Sequence, residues 1–125
     1  MNNFGGFLRG KCMSFAVDVV NLYKHLIEDK KEYVLSKQML RSGTSIGANL
    51  VEAQNGISEK DFWAKMYISL KETAETSYWI ELLLKTDYIS KEEFKSINTK
   101  CQELNRLFNS MAQKHNQTKT EQLNN

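Results

Sequence analysis

The sequence predicts an all-α fold, an antiparallel up-down-up-down four-helix bundle, and three observations predict it. Proline is absent, and after Gly10 glycine returns only at 43, 47 and 56. Apolar residues recur at helical spacing over long stretches, with no strand-type alternation. Two serine-led motifs, "ISEKDF" and "ISKEEF", punctuate the chain as helix starts.

The first helix is expected from about Lys11 to Asp29, behind a flexible segment, residues 1–10. Cys12, Phe15, Ala16, Val19, Val20, Leu22, Tyr23, Leu26 and Ile27 cover half of its cylinder, and Asp18, Asn21, Lys24, His25, Glu28 and Asp29 most of the rest. The pattern lapses over "EDKKE", which reads as a turn. The second helix spans about Tyr33 to Gln54, and Gly56 suits a left-handed cap behind it. Ser58 and Ser90 then serve as N-caps, with Asp61 and Glu93 completing capping boxes. Ile57 with Phe62, and Ile89 with Phe94, occupy the positions of hydrophobic staples. These place the third helix at Glu59 to about Lys85 and the fourth at Lys91 to about Lys114. Short connections make neighbours antiparallel. The fourth helix carries a heptad seam of Phe94, Ile97, Cys101, Leu104, Phe108 and Met111. The bundle is thus assigned to 11–114, and the polar tail 115–125 to disorder.

Within the second helix, "LRSGTSIGANLVEA" combines helical spacing with poor helix formers. Leu35, Met39, Ile46, Leu50 and Ala53 form the core stripe. Gly43 and Gly47, one turn apart at its edge, read as a groove for close approach of another helix, of this chain or of a second one. Arg41, Ser45, Asn49 and Glu52 run along the opposite flank. They read either as a solvated face or as a hydrogen-bonded polar seam in which Arg41 and Glu52 are partly buried. On the third helix, Phe62, Trp63, Met66, Leu70, Thr73, Ala74, Ser77 and Leu84 mark the core face. Asp61, Lys65, Ile68, Glu72, Glu75, Trp79 and Leu83 share another. A solvated face would be all charge, so Ile68, Trp79 and Leu83 suggest an oligomer interface.

With 125 residues, 41% hydrophobic and 26% charged, the chain is one soluble domain. No apolar run reaches membrane-spanning length, and no signal peptide is recognisable, so a cytoplasmic location is expected. Cys12 and Cys101 fall on apolar stripes and read as reduced, buried thiols. Neither His25 nor His115 has the Glu-x-x-His spacing of a di-iron bundle, and no cysteine–histidine cluster suits zinc. "GGFLRGK" lacks the spacing of a phosphate loop. Glu72 and Glu75 are paired carboxylates without a nucleophile in sequence reach. The expectation is no cofactor, no metal and no enzyme.

The motif "LRSGTSIGANLVEA", followed by "SEKDFWAKMYISLKETAETSYWIELLL" and "DYIS", resembles the bundle proteins named for intervening sequences of bacterial 23S ribosomal RNA genes. The pattern Arg, Ser-Ile-x-x-Asn, Glu falls on Arg41, Ser45, Ile46, Asn49 and Glu52, and acidic positions of the third helix fall on Glu72 and Glu75. The likeness covers roughly Met13 to Met111. It departs at Gly47, where many relatives have proline, and at Gln54, where they have glycine. The resemblance implies a left-handed bundle assembled as a homopentamer. It also implies kinship with the accessory proteins of diversity-generating retroelements, basic pentamers that engage nucleic acid and a reverse transcriptase.

Seventeen basic against fifteen acidic residues give a net charge of +2, short of the basic excess typical of nucleic-acid binders. The candidate contact surface lies on the fourth helix, where Lys91, Lys95, Asn98, Gln102 and Arg106 share one flank. Repetition around a ring would multiply that weak charge. The expected partners are other copies of the chain and RNA or DNA, or a protein acting on them. The alternative is a structural or protein-binding ring with no nucleic-acid role.

Overall fold

The computed structural model describes residues 3–124. It contains α1 (Phe4–Glu28), α2 (Leu35–Gln54), α3 (Glu59–Lys85) and α4 (Lys91–Asn124), with no strand among the described residues. Each helix packs on its neighbours in sequence and α4 closes back onto α1, so α1 and α3 are diagonal. This is the expected antiparallel bundle. Ser42 meets Thr76 and Ile46 meets Ser69, fixing the antiparallel register of α2 and α3. The core joins Leu8, Phe15, Val19, Leu26, Met39, Ile46, Leu50, Ile80, Leu83, Leu104 and Phe108.

Both outer helices run past their expected ends. α1 starts at Phe4 rather than Lys11, because Phe4 and Leu8 extend the stripe of Cys12, Phe15 and Val19 backwards by helical steps. Its Gly5 carbonyl also accepts a hydrogen bond from the Gln54 amide at 3.0 Å. Three glycines, Gly5, Gly6 and Gly10, do not stop a helix that has this much to bury. Beyond Lys114 the chain remains helical to Asn124, where its polar sequence predicts disorder. The start of that extension is held by ring contacts of His115 with α3.

The two serine caps differ by one methylene. Ser90 Oγ accepts from the Glu93 amide at 3.0 Å, and Glu93 Oε1 accepts from the Ser90 amide at 2.8 Å, a complete capping box. Ser58 accepts from the Asp61 amide at 3.0 Å, but the shorter Asp61 side chain returns no bond. The staple at that end is absent too: Ile57 is 96% exposed, whereas Ile89 is buried. Gly56 is not left-handed, since no glycine has a positive φ. It is needed for space, because a Cβ there would lie 3.1 Å from the Ala53 carbonyl oxygen. The left-handed residues are Lys31 (φ 56°) and Asp87 (φ 65°), in the α1–α2 and α3–α4 turns.

The α1–α2 turn holds a cap that periodicity does not reveal. The buried Glu32 carboxylate accepts from the amides of Val34 (3.1 Å), Leu35 (2.9 Å) and Ser36 (2.6 Å), three of the donors that open α2. Burial opposes its ionisation, but these amides together outweigh that and hold the carboxyl below its ordinary value. A depressed carboxylate contributes stability above its unfolded pKa, about 4.3, and loses it as pH falls from there through the folded value. Glu32→Ala is therefore expected to cost about 1–3 kcal/mol at pH 7. The gap from wild type should narrow in acid, measured by denaturant unfolding at pH 7 and pH 3. An equal gap at both pH values would refute the cap.

Candidate functional site

Two surfaces carry the residues that the sequence singles out. The first is the α2–α3 seam. Arg41, on the first half of α2, reaches across to α3, where it hydrogen-bonds the Glu75 carboxylate and lies 3.6 Å from Glu72. The Trp79 indole N–H also donates to Glu75, at 3.1 Å. This indole first, and then Arg41, hold the Glu75 carboxyl below its ordinary value against the opposing effect of burial. Glu72 is buried, and its Oε2 has no hydrogen-bond partner. Farther along, Glu52 pairs with Lys65 at 3.0 Å but stays exposed.

Ser45 and Asn49 turn back on their own helix. Ser45 Oγ donates to the Arg41 carbonyl at 2.7 Å, and the Asn49 amide to the Ser45 carbonyl at 2.8 Å. The neutral cross-links come from residues that the sequence pattern does not single out. Thr76 Oγ1 bonds Ser42 Oγ at 2.9 Å, and Ser69 Oγ donates to the Ile46 carbonyl at 2.8 Å, all with fully buried side chains. Their signal is small polar residues at core spacing. They allow α2 and α3 to approach closely without an orphaned hydroxyl. The same side of α3 buries Glu72 and Leu83, so Leu83 belongs to the core and not to an outer interface. Ala74, assigned to the core face, is exposed. Ile68, 38% exposed, remains on the outside, and Trp79 is half-buried against the core.

Gly43 and Gly47 face α1 of the same chain. A Cβ on Gly43 would meet Val19 Cγ2 at 2.9 Å, and one on Gly47 would meet Cys12 Cβ at 3.1 Å. Cys12 and Cys101 are free and buried, and burial pushes each thiol up to about 12. Both are inert at neutral pH.

The second surface is the α3-side flank of α4. Lys91, Lys95 and Arg106 are exposed there and, among the described residues, enter no ion pair. Lys11, Arg41, Lys65 and Lys100 are instead tied to Glu103, Glu75, Glu52 and Asp18. Asn98 and Gln102 are drawn inward: the Gln102 amide bonds Ser77 Oγ at 2.9 Å and Asn98 at 3.2 Å.

The family model described as 23S rRNA-intervening sequence protein matches residues 9–110. The chain belongs to that family. Among solved structures, a protein of unknown function from the S23 ribosomal protein family of Bacteroides thetaiotaomicron is 50% identical, with a TM-score of 0.83. The likeness covers 86% of this chain and 96% of that one. No curated protein matches. Both surfaces lie inside the matched span, while the last turns of α4 lie beyond it.

The seam can be weighed by mutation. Arg41→Ala would leave the buried Glu72 carboxylate without the cation beside it. Arg41 is half-exposed, so the expected cost is discounted to about 1–2 kcal/mol. Adding Glu72→Gln should recover part of it, as read by denaturant unfolding of the single and double variants. Unchanged stability in Arg41→Ala would make the flank a solvated face.

Proposed function

We propose that this family member is a non-enzymatic bundle that assembles into a ring and binds RNA or DNA, or a protein processing them, along α4. The observation that carries this reading is the grouping of the exposed cations Lys91, Lys95 and Arg106, unpaired among the described residues, on one flank of α4, whereas Lys11, Arg41, Lys65 and Lys100 are neutralised by ion pairs. Such cations hold phosphates without reading sequence. One chain offers a weak site, but a net +2 per chain becomes roughly +10 in a five-membered ring. Release of counterions from phosphates sums over all the copies. Five is the number implied by the resemblance. The paired carboxylates Glu72 and Glu75 are engaged by Arg41, which favours a structural over a catalytic role for them.

A second reading, a ring with no nucleic-acid role, is favoured by a different observation. Met13 and Val17 on α1 are 59% and 51% exposed beside an apolar groove of about 240 Å³ lined by Ala16, Gly47, Ala48 and Val51. Binding of ribosomal RNA fragments across a salt series separates the two. The first reading expects affinity that falls steeply with salt and is lost in Lys95→Glu/Arg106→Glu. A ring without salt-dependent binding establishes the second.

A further inference from the structure

Where α3 begins and α4 ends, three rings meet. Trp63 and His115 stack with centroids 4.0 Å apart and planes 16° from parallel. The Tyr67 ring stands 6.1 Å from Trp63 and 5.9 Å from His115, tilted to both. Its hydroxyl lies 3.0 Å from His115 Nδ1 and donates to Asn116 Oδ1 at 2.8 Å, locking the corner. The rings are only partly buried, although aromatic surface of this size gains most from full burial. On one side they frame an open cavity of about 420 Å³, with Lys60 and Lys119 on its rim. On the other side of the Trp63–His115 pair is a second, of about 320 Å³, with Lys114. Glu59 is the acid shared by both, and none of the three lysines is in an ion pair among the described residues.

We infer that this corner is a stacking platform for a base of single-stranded nucleic acid, whose backbone continues along the α4 flank. Flat π-faces with free ammonium groups at the rim are the combination that holds a base and its phosphates irrespective of sequence. The placement fits one strand. Lys95, Arg106 and Asn116 follow one another on the α3 side of α4, and Lys95 to Asn116 is about 30 Å at 1.5 Å per residue. The cations take phosphates along that track and the rings take a base at its end. This inference rests on the nucleic-acid reading above, but it adds a preference that cations alone cannot produce: bases against bare backbone. It also gives a role to the terminal turns of α4, which lie outside the span of the family match.

The test is binding of the full chain to a labelled twelve-nucleotide oligouridylate and to an abasic strand with the same phosphates, at low salt. The wild type should prefer the base-bearing strand. His115→Leu and Tyr67→Leu should each cut that preference about five- to hundred-fold, the range of one lost base stack, with abasic binding unchanged. Unchanged abasic binding also shows that the variants are folded. Lys95→Glu/Arg106→Glu should weaken both strands alike. Equal wild-type affinity for the two strands, or a preference untouched by the ring variants, overturns the platform while leaving the cationic flank standing. Failure of the wild type to bind either strand overturns both. A free uridine monophosphate that competes as well as the strand also overturns it, since the track would then contribute nothing.

Discussion

Gly43→Leu is expected to destabilise the bundle by about 3 kcal/mol or more, the upper end of what overpacking a core costs. The reason lies in a single contact. A Cβ at 43 falls 2.9 Å and 3.0 Å from the two γ-methyls of Val19, which is fully buried in the centre of α1. Because both methyls are close, rotating valine about χ1 replaces one clash with another, and a branched side chain on a helix has one strongly favoured rotamer. Either α1 retreats from α2, opening the core around Phe15 and Ile46, or the new side chain leaves its rotamer. Even Gly43→Ala should lose about 1 kcal/mol net, although alanine gains about as much in helix propensity. The comparison is Gly10→Ala, where nothing lies within 4 Å of the added Cβ. That change should stabilise by up to about 1 kcal/mol. Denaturant unfolding of the three variants decides it. If Gly43→Ala and Gly10→Ala stabilise alike, the glycine is not there for α1.

That glycine shows what a sequence can and cannot convey. Its one-turn spacing from Gly47 announces a close helix contact, because small residues have few other reasons to recur there. The identity of the partner needs three dimensions, since α1 and a neighbouring subunit offer the same apolar chemistry. Caps made by a residue on the next helix turn are legible: Ser90 with Glu93 is a fixed local pattern. Glu32 is not, because it caps from outside the helix through an irregular turn with Lys31 left-handed, and no periodicity extends into such a turn. One side of α3 departs from its projected pattern for a different reason. A helix wedged between two neighbours has a buried arc wider than a single stripe, so Glu72, Thr76 and Leu83 go inside although their neighbours in the helical projection are charged. Arg41 and Glu52 each pair with α3, through Glu75 and Lys65, but both are exposed where a buried seam would have them partly covered. Which residues cross to α3 depends on side-chain reach: Arg41 spans the gap, and Ser45 does not. The Trp63–His115 stack is invisible in sequence because it joins the start of α3 to a polar stretch with no hydrophobic rhythm.

Val17→Glu and Ile68→Glu are each expected to convert the assembly to monomers. Met13 and Val17 on α1, 59% and 51% exposed, look outward beside the α1–α2 groove, while Ile68 and Tyr78, 38% and 60% exposed, look outward from α3. α1 and α3 sit at opposite corners of the bundle. The two apolar surfaces are therefore different faces of one molecule. A face that meets a different face gives a head-to-tail contact, which closes into a ring when the rotation permits. Monomers seldom leave apolar patches above a few hundred Å² in water, so covering both surfaces would drive such an assembly. A glutamate placed at either one would have to shed its hydration within the contact, costing several kcal/mol per interface if it stays buried, repeated at each contact of the ring. Val17 and Ile68 are the informative positions because both are substantially exposed within the subunit. Trp79→Glu should also break the ring, but Trp79 packs on the core and donates to Glu75, so its loss disturbs folding as well. Light scattering measures the assembly, with helical circular dichroism to show that each variant is folded. A monomeric wild type defeats the ring, and a ring that survives Val17→Glu or Ile68→Glu shows that the substituted face is not the contact.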